Sequence, residues 1–210
     1  FGLGNLNHGF RTPSSIFYLN SLFFLPGIKY YLMNAAAIYI FGFANVVLLE
    51  LIRDFVKKNK INFILFLTLL SFVYINSKFS RLSEHGTDLS AVILIFLMAI
   101  YYLISINNDN QSKQTNFFNE YFTKINILLI IIISLKTFYI IYFIVYLAWI
   151  YENKKFFYNK NIINLIISNF STYVFVLILF FVFFTIFSNT GCLVYPASFT
   201  CFDNFSWSIP

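Results

Sequence analysis

The chain has 210 residues, 60% apolar, 22% aromatic and only 10% charged, with a mean hydropathy of +0.76. A soluble domain of this length cannot bury so much apolar surface, so lipid must be the solvent for much of it. The apolar runs are continuous and rich in Leu, Ile and Phe, which excludes an outer-membrane barrel, and the +6 charge is divided among short loops, which favours a membrane over nucleic acid as partner.

The composition predicts an all-α polytopic transmembrane bundle, with about six membrane segments and an interfacial helix in a single domain. Residues 1–29 are expected to be an external loop and interfacial helix, 30–187 the membrane segments, and 188–210 a second external loop. The chain opens at Phe1 with neither a methionine nor a signal peptide, and reads as an internal piece of a longer protein.

The first stretch is polar, with Gly2, Asn5, Asn7, His8, Arg11, Thr12 and Pro13. Ile16–Leu25 is aromatic but too short to cross, and Pro26-Gly27 ends it, so it predicts a helix lying in the interface. A first span is expected from about Tyr30 to Leu49, close to the roughly 20 residues a bilayer needs. Arg53, Lys57, Lys58 and Lys60 follow, and the positive-inside tendency puts them in the cytoplasm. A second span near Ile61–Asn76 leads to an outer cluster, Arg81 to Asp88. A third, Leu89–Ile106, leads back to a polar loop, Asn107–Lys124.

Ile125–Tyr151 admits two readings. As one tilted helix it would bring Lys136 near mid-bilayer, at a cost of roughly 2.5 to 3.5 kcal/mol. As two re-approaching segments, Ile125–Leu135 and Thr137–Trp149, it leaves Lys136 at an outer junction and the lysines at 154, 155 and 160 inside. The second reading is adopted; its first segment is short enough to need shielding by protein or a wet recess. A last span within Ile162–Phe187 returns outward. Nine of the fourteen Lys and Arg residues then lie in inner loops. Cys192 and Cys201 share the final outer loop, where a disulfide and two free thiols are about equally expected.

On this topology His8, Arg11, Arg81, Glu84, His85, Asp88, Lys136 and Asp203 collect on the outer side. Carboxylates and imidazole can act as a general base or hold a divalent cation, and Arg and Lys can neutralise phosphate. The mix suits an anionic, phosphate-bearing substrate; the bland alternative is a hydrated loop with internal ion pairs. A divalent metal is a candidate cofactor, with Asp88 and Glu84 as its candidate ligands. No Gly-rich nucleotide loop, serine-nucleophile motif or CxxC occurs, so no nucleotide cofactor is expected.

Three stretches carry a family resemblance. Asn76–Tyr102 (NSKFSRLSEHGTDLSAVILIFLMAIYY) has a polar outer turn ending in an Asp that opens the next apolar run. Ile127–Tyr151 contains SLKTFYIIYFIVYLAWIY, two short segments joined by a Lys-Thr turn. Gly2–Leu25 (GLGNLNHGFRTPSSIFYLNSLFFL) pairs with Gly191–Pro210 (GCLVYPASFTCFDNFSWSIP). In layout the chain resembles the polytopic GT-C superfamily of glycosyltransferases. The likeness is to bacterial members related to the protein mannosyltransferase and aminoarabinose transferase group, and to a branch of uncharacterised glycosyltransferase-like membrane proteins.

The resemblance implies inverting transfer of a sugar from a polyprenyl-phosphate carrier to a glycan, lipid or protein acceptor on the external face of a bacterial inner membrane. It implies Asp88 as a second acidic site residue and Lys136 as a phosphate-side contact, the principal acid lying upstream of Phe1. Arg81, Glu84 and His85 join the site on chemical grounds, with His8 and Arg11 as further candidate substrate contacts. The expected partners are the bilayer, the lipid-linked sugar and its acceptor, and no nucleic acid. A polysaccharide polymerase or ligase of another membrane fold, and a transporter, are the alternatives.

Overall fold

The computed structural model describes residues 14–16, 35–58, 62–80, 87–107, 114–152, 169–193, 198–202 and 204. Six α-helices occur among them: α1 (Ala35–Lys57), α2 (Phe63–Ser77), α3 (Thr87–Ile106), α4 (Gln114–Leu135), α5 (Phe143–Glu152) and α6 (Phe170–Thr190). A 3-10 turn, Thr137–Tyr142, leads from α4 into α5. The fold is all-α among the described residues, the one extended contact being a bridge between Cys192 and Cys201.

Three helices, α1, Asp88–Ile106 within α3, and α6, are each long and apolar enough to cross a membrane. Phe63–Ser77 and Thr137–Glu152 are apolar but shorter. Half of the apolar window of α3 is buried, against 22% for α1 and 17% for α6, so α3 lies at the centre and the other two present broad faces outward. α3 packs most extensively on α4 and also meets α1 and α2, while α4 carries α6 on another side. Lipid tails are as apolar as leucine, so close packing and interhelical hydrogen bonds must hold such helices together. Ala44 and Ala91, both fully buried, allow close approach; Asn76 donates to Asn45 across α1 and α2, and Trp149 Nε1 donates to Ser105 Oγ at 2.6 Å.

The elements depart from sequence expectation at their ends. α1 runs on to Lys57, so Arg53 and Lys57 are helical rather than loop residues. Cations suit the negative end of the helix dipole, and Arg53 lies beside Glu50 one turn back. The expected loop Asn107–Lys124 is helical from Gln114. Lys124 pairs with Glu120 one turn earlier and Phe122 is buried, so this polar stretch extends the apolar helix that follows. α6 continues three residues past Phe187, where Ser188 and Thr190 hydroxyls return hydrogen bonds to the Phe184 and Ile186 carbonyls. The division at Lys136 agrees with the two-segment reading of Ile125–Tyr151. Of the expected interfacial helix, Ile16–Leu25, only Ile16 lies among the described residues.

Of the two readings of the cysteines, the structure has the disulfide between Cys192 and Cys201. Gly191 ends α6 at φ 73°, the left-handed conformation that costs glycine least, and its N–H donates to the Phe187 carbonyl. Leu193 N–H to Thr200 O and Phe202 N–H to Gly191 O, both at 3.1 Å, then close a small hairpin, and Phe202 rests edge-on against Phe187. A disulfide over so short a loop contributes on the order of 2–3 kcal/mol by restricting the unfolded chain. Cys192→Ser is therefore expected to lower the reversible melting temperature by several degrees in detergent. Dithiothreitol should reproduce that shift in the wild type and add nothing to the variant.

Candidate functional site

The described part of the site is built at a helix break. After Leu135 the backbone of Lys136 is extended (φ −158°, ψ 120°) and α4 stops. Thr137 follows, and the Tyr139 N–H turns back to the Lys136 carbonyl at 3.0 Å, opening the 3-10 turn. β-Branched and aromatic residues on both sides give no other reason to end a helix here. What the break accomplishes is to let an ammonium group leave an apolar run. Lys136 Nζ donates to Asp88 Oδ1 at 2.8 Å.

Asp88 lies in the first turn of α3, where unpaired backbone N–H groups and the dipole favour a carboxylate. Both side chains are partly open, at 40% exposure for Lys136 and 65% for Asp88, so a ligand could reach either charge. Lys136 lies between the apolar segments rather than within one. Its hydrogen bond to Asp88 holds its pKa above the ordinary lysine value, against a smaller opposing effect of burial.

Two hydroxyls meet just before the break. Ser134 Oγ donates to the Ile131 carbonyl and meets Ser15 Oγ at 2.9 Å, which brings the segment 14–16 against the end of α4. Ser14 and Ser90 are buried, and their hydroxyls find no hydrogen-bond partner among the described residues. Ser14, Ser15, Ser90 and Ser134 were not anticipated; the only sequence signal was a lone Ser134 inside an isoleucine run beside Lys136.

The depth of the pair follows from helix register. Lys136–Asp88 and the Tyr101–Tyr121 ring contact run α3 and α4 antiparallel. Thr123–Asn169 and Asn126–Ser171 run α4 and α6 parallel. Following α4 from Asn126 to Lys136 takes α6 from Ser171 to Phe181 at the same level. α6 then continues to Thr190, about 13 Å further at the helical rise. The ion pair therefore lies level with the middle of α6 and at the opening end of the candidate span in α3, which begins at Asp88.

Among the other candidates, His8, Arg11, Arg81, Glu84, His85 and Asp203 lie outside the described residues. Among the described residues no group of three His, Cys, Asp or Glu side chains could hold a metal. Asp88, the one candidate ligand described, has an ammonium 2.8 Å from a carboxylate oxygen, and a divalent cation there would meet a like charge. The Asp88–Lys136 pair by itself does not fit a metal, and Glu84, the other candidate ligand, lies outside the described residues.

At the opposite end of the bundle the polar groups form a different kind of structure. Lys124 pairs with Glu120 and lies 5.2 and 5.3 Å from the Tyr101 and Tyr121 ring centres. Asn126, buried between α4 and α6, donates to Ser171 Oγ. These contacts bind helices together, while the buried Asn126 Oδ1 has no hydrogen-bond partner among the described residues.

A helical membrane architecture with several apolar helices, three of them long enough to span, and a charged pair at a helix break define the broad class: a multi-pass membrane protein. The chain belongs to the family described as Domain of unknown function (DUF8201), whose model matches residues 1–210. No curated protein and no solved structure shows significant similarity to it.

Proposed function

We propose that this chain forms part of a membrane glycosyltransferase that moves a sugar from a polyprenyl-phosphate carrier to an acceptor at the external face of a bacterial inner membrane. The observation that carries this reading is the Lys136–Asp88 pair at 2.8 Å, at an interruption of apolar helix and level with the body of α6. Both charges are open to a ligand beside apolar helices, and a lipid-borne phosphate is an anion that reaches such a place by diffusing in the membrane. The GT-C resemblance of the residues around Asp88 and Lys136 supplies the reaction type.

In this reading the acceptor hydroxyl oxygen attacks the anomeric carbon from the face opposite the phosphate. The bond from that carbon to the phosphate oxygen breaks, and its electron pair stays on the phosphate. Lys136 neutralises the charge that grows there. Asp88 keeps Lys136 ionised and oriented, and its second carboxylate oxygen takes the proton that leaves the acceptor. Arg81 would share the phosphate, and Glu84 and His85 would assist at the acceptor.

The test is transfer of labelled sugar from a polyprenyl-phosphate donor by membranes carrying the full-length protein, wild type against Asp88→Asn. A helix broken beside a lysine also suits a transporter. In that case Asp88→Asn would stop substrate movement across sealed vesicles with no glycosidic bond made, and the transferase reading would fail.

A further inference from the structure

We infer that α1 pairs with α1 of a second copy of this chain, through Gly42 and the amides of Asn45 and Asn76. The proposal is independent of the catalytic reading. Tyr39, Gly42, Val46 and Leu49 are all exposed on α1 and alternate at spacings of three and four, the seam that two packed helices share. Glycine in mid-helix is destabilising relative to alanine, and a packing need within the chain usually explains it. Among the described residues there is none, since a Cβ built on Gly42 would meet nothing within 4 Å. What such a glycine permits is the close approach of another backbone from outside.

The second observation is polar. Asn45 lies one turn from Gly42, about 15 Å along α1 from Ala35 and so near the middle of a candidate span. Its Nδ2 donates to the Phe41 carbonyl at 3.0 Å and its Oδ1 accepts from Asn76 Nδ2 at 2.7 Å. Asn76 Nδ2 gives its other hydrogen to the Phe72 carbonyl. One N–H of Asn45 and the carbonyl oxygen of the exposed Asn76 then have no partner among the described residues. Lipid cannot satisfy either.

The leftover donor and acceptor complement each other. A copy related by a two-fold axis would offer both reciprocally, which is the self-matching an isologous interface needs. No charged side chain occurs from Ala35 to Leu49, so the face holds nothing that would select a charged partner instead.

Both native cysteines are joined in the disulfide, so an introduced cysteine is the only free thiol of this chain. In the full-length protein reconstituted in nanodiscs, Gly42→Cys is expected to oxidise readily to a disulfide-linked dimer. Phe180→Cys, on the equally exposed face of α6, is not. Gly42→Leu and Asn45→Val should each weaken the uncrosslinked dimer on the order of tenfold, as read by mass photometry over a dilution series. Retention of the Cys192–Cys201 disulfide and of the helical circular dichroism shows that each variant has folded. Cross-linking at Gly42 no faster than at Phe180 overturns the proposal, as does a dimer indifferent to Gly42→Leu. A purified monomer whose Gly42→Cys variant cross-links in native membranes only to a protein of another mass overturns self-pairing.

Discussion

Asp88→Asn in the full-length protein is expected to abolish sugar transfer while leaving the fold intact. The substitution keeps the volume of the side chain and an oxygen that can still accept from Lys136. It removes the charge that would keep the ammonium in place and the carboxylate that would take a proton. Because both partners are substantially exposed, the ion pair contributes no more than about 1 kcal/mol to stability. Loss of activity then cannot be assigned to unfolding. Lys136→Met is expected to cut transfer by roughly 10²–10³, the effect of removing one donor aimed at developing negative charge, and Lys136→Arg to retain part of the rate. Wild-type turnover by the Asp88→Asn protein would end the assignment.

The same pair has a defined pH signature. The folded-state pKa of Lys136 is raised above its unfolded value, chiefly by its hydrogen bond to Asp88. Its contribution to stability is complete below the ordinary lysine value of about 10.4 and is lost as pH rises through the higher folded value. Lys136 should therefore add no pH dependence to thermal melts across the neutral range, and wild type and Lys136→Met should converge only in strongly alkaline buffer. A difference that disappears near neutrality would mean that another group holds the lysine.

The largest effect on stability is expected from Trp149→Ala, a loss of about 3 kcal/mol or more. Trp149 is fully buried, its N–H donates to Ser105, and its ring lies 6.2 Å from Phe122 and 6.4 Å from Tyr146. Lipid reduces the transfer part of that cost, because the unfolded side chain also has apolar surroundings. The cavity and the lost ring contacts persist. Trp149→Phe should recover much of the stability by filling most of the space. Phe180→Ala, on an outward face, should change it by less than about 0.5 kcal/mol. Equal melting temperatures for Trp149→Ala and Phe180→Ala, followed by circular dichroism, would refute this account of the core.

Which stretches are apolar helix was legible from the chain alone, because continuous runs such as Leu89–Ile106 and the one within Ile162–Phe187 leave no polar face on which another structure could be built. The division at Lys136 was legible for a related reason: a charged group has few places to go inside hydrocarbon. Helix ends were read less well. Gln114–Lys124 and Arg53–Lys57 have polar compositions that suit a loop equally, and only neighbouring turns and buried contacts such as Phe122 make them helical. The disulfide was likewise open, since two cysteines nine positions apart allow either state until Gly191 turns the backbone to face them.

For the candidate site, the residue types were determined locally and their meeting was not. Asp88 and Lys136 are 48 positions apart, and nothing in either local sequence says that the start of α3 lies against the end of α4. That follows from the antiparallel packing of two almost wholly buried faces, a property of the assembled bundle. The serines at 15 and 134 show the same limit: small hydroxyls carry no pattern of their own, and their meeting beside the break comes from how the segments stack. Sequence by itself determined an all-helical membrane chain and where its charges must leave the lipid. Tertiary structure decided which of the described charges meet, because contact between distant helices depends on packed shape and not on local composition.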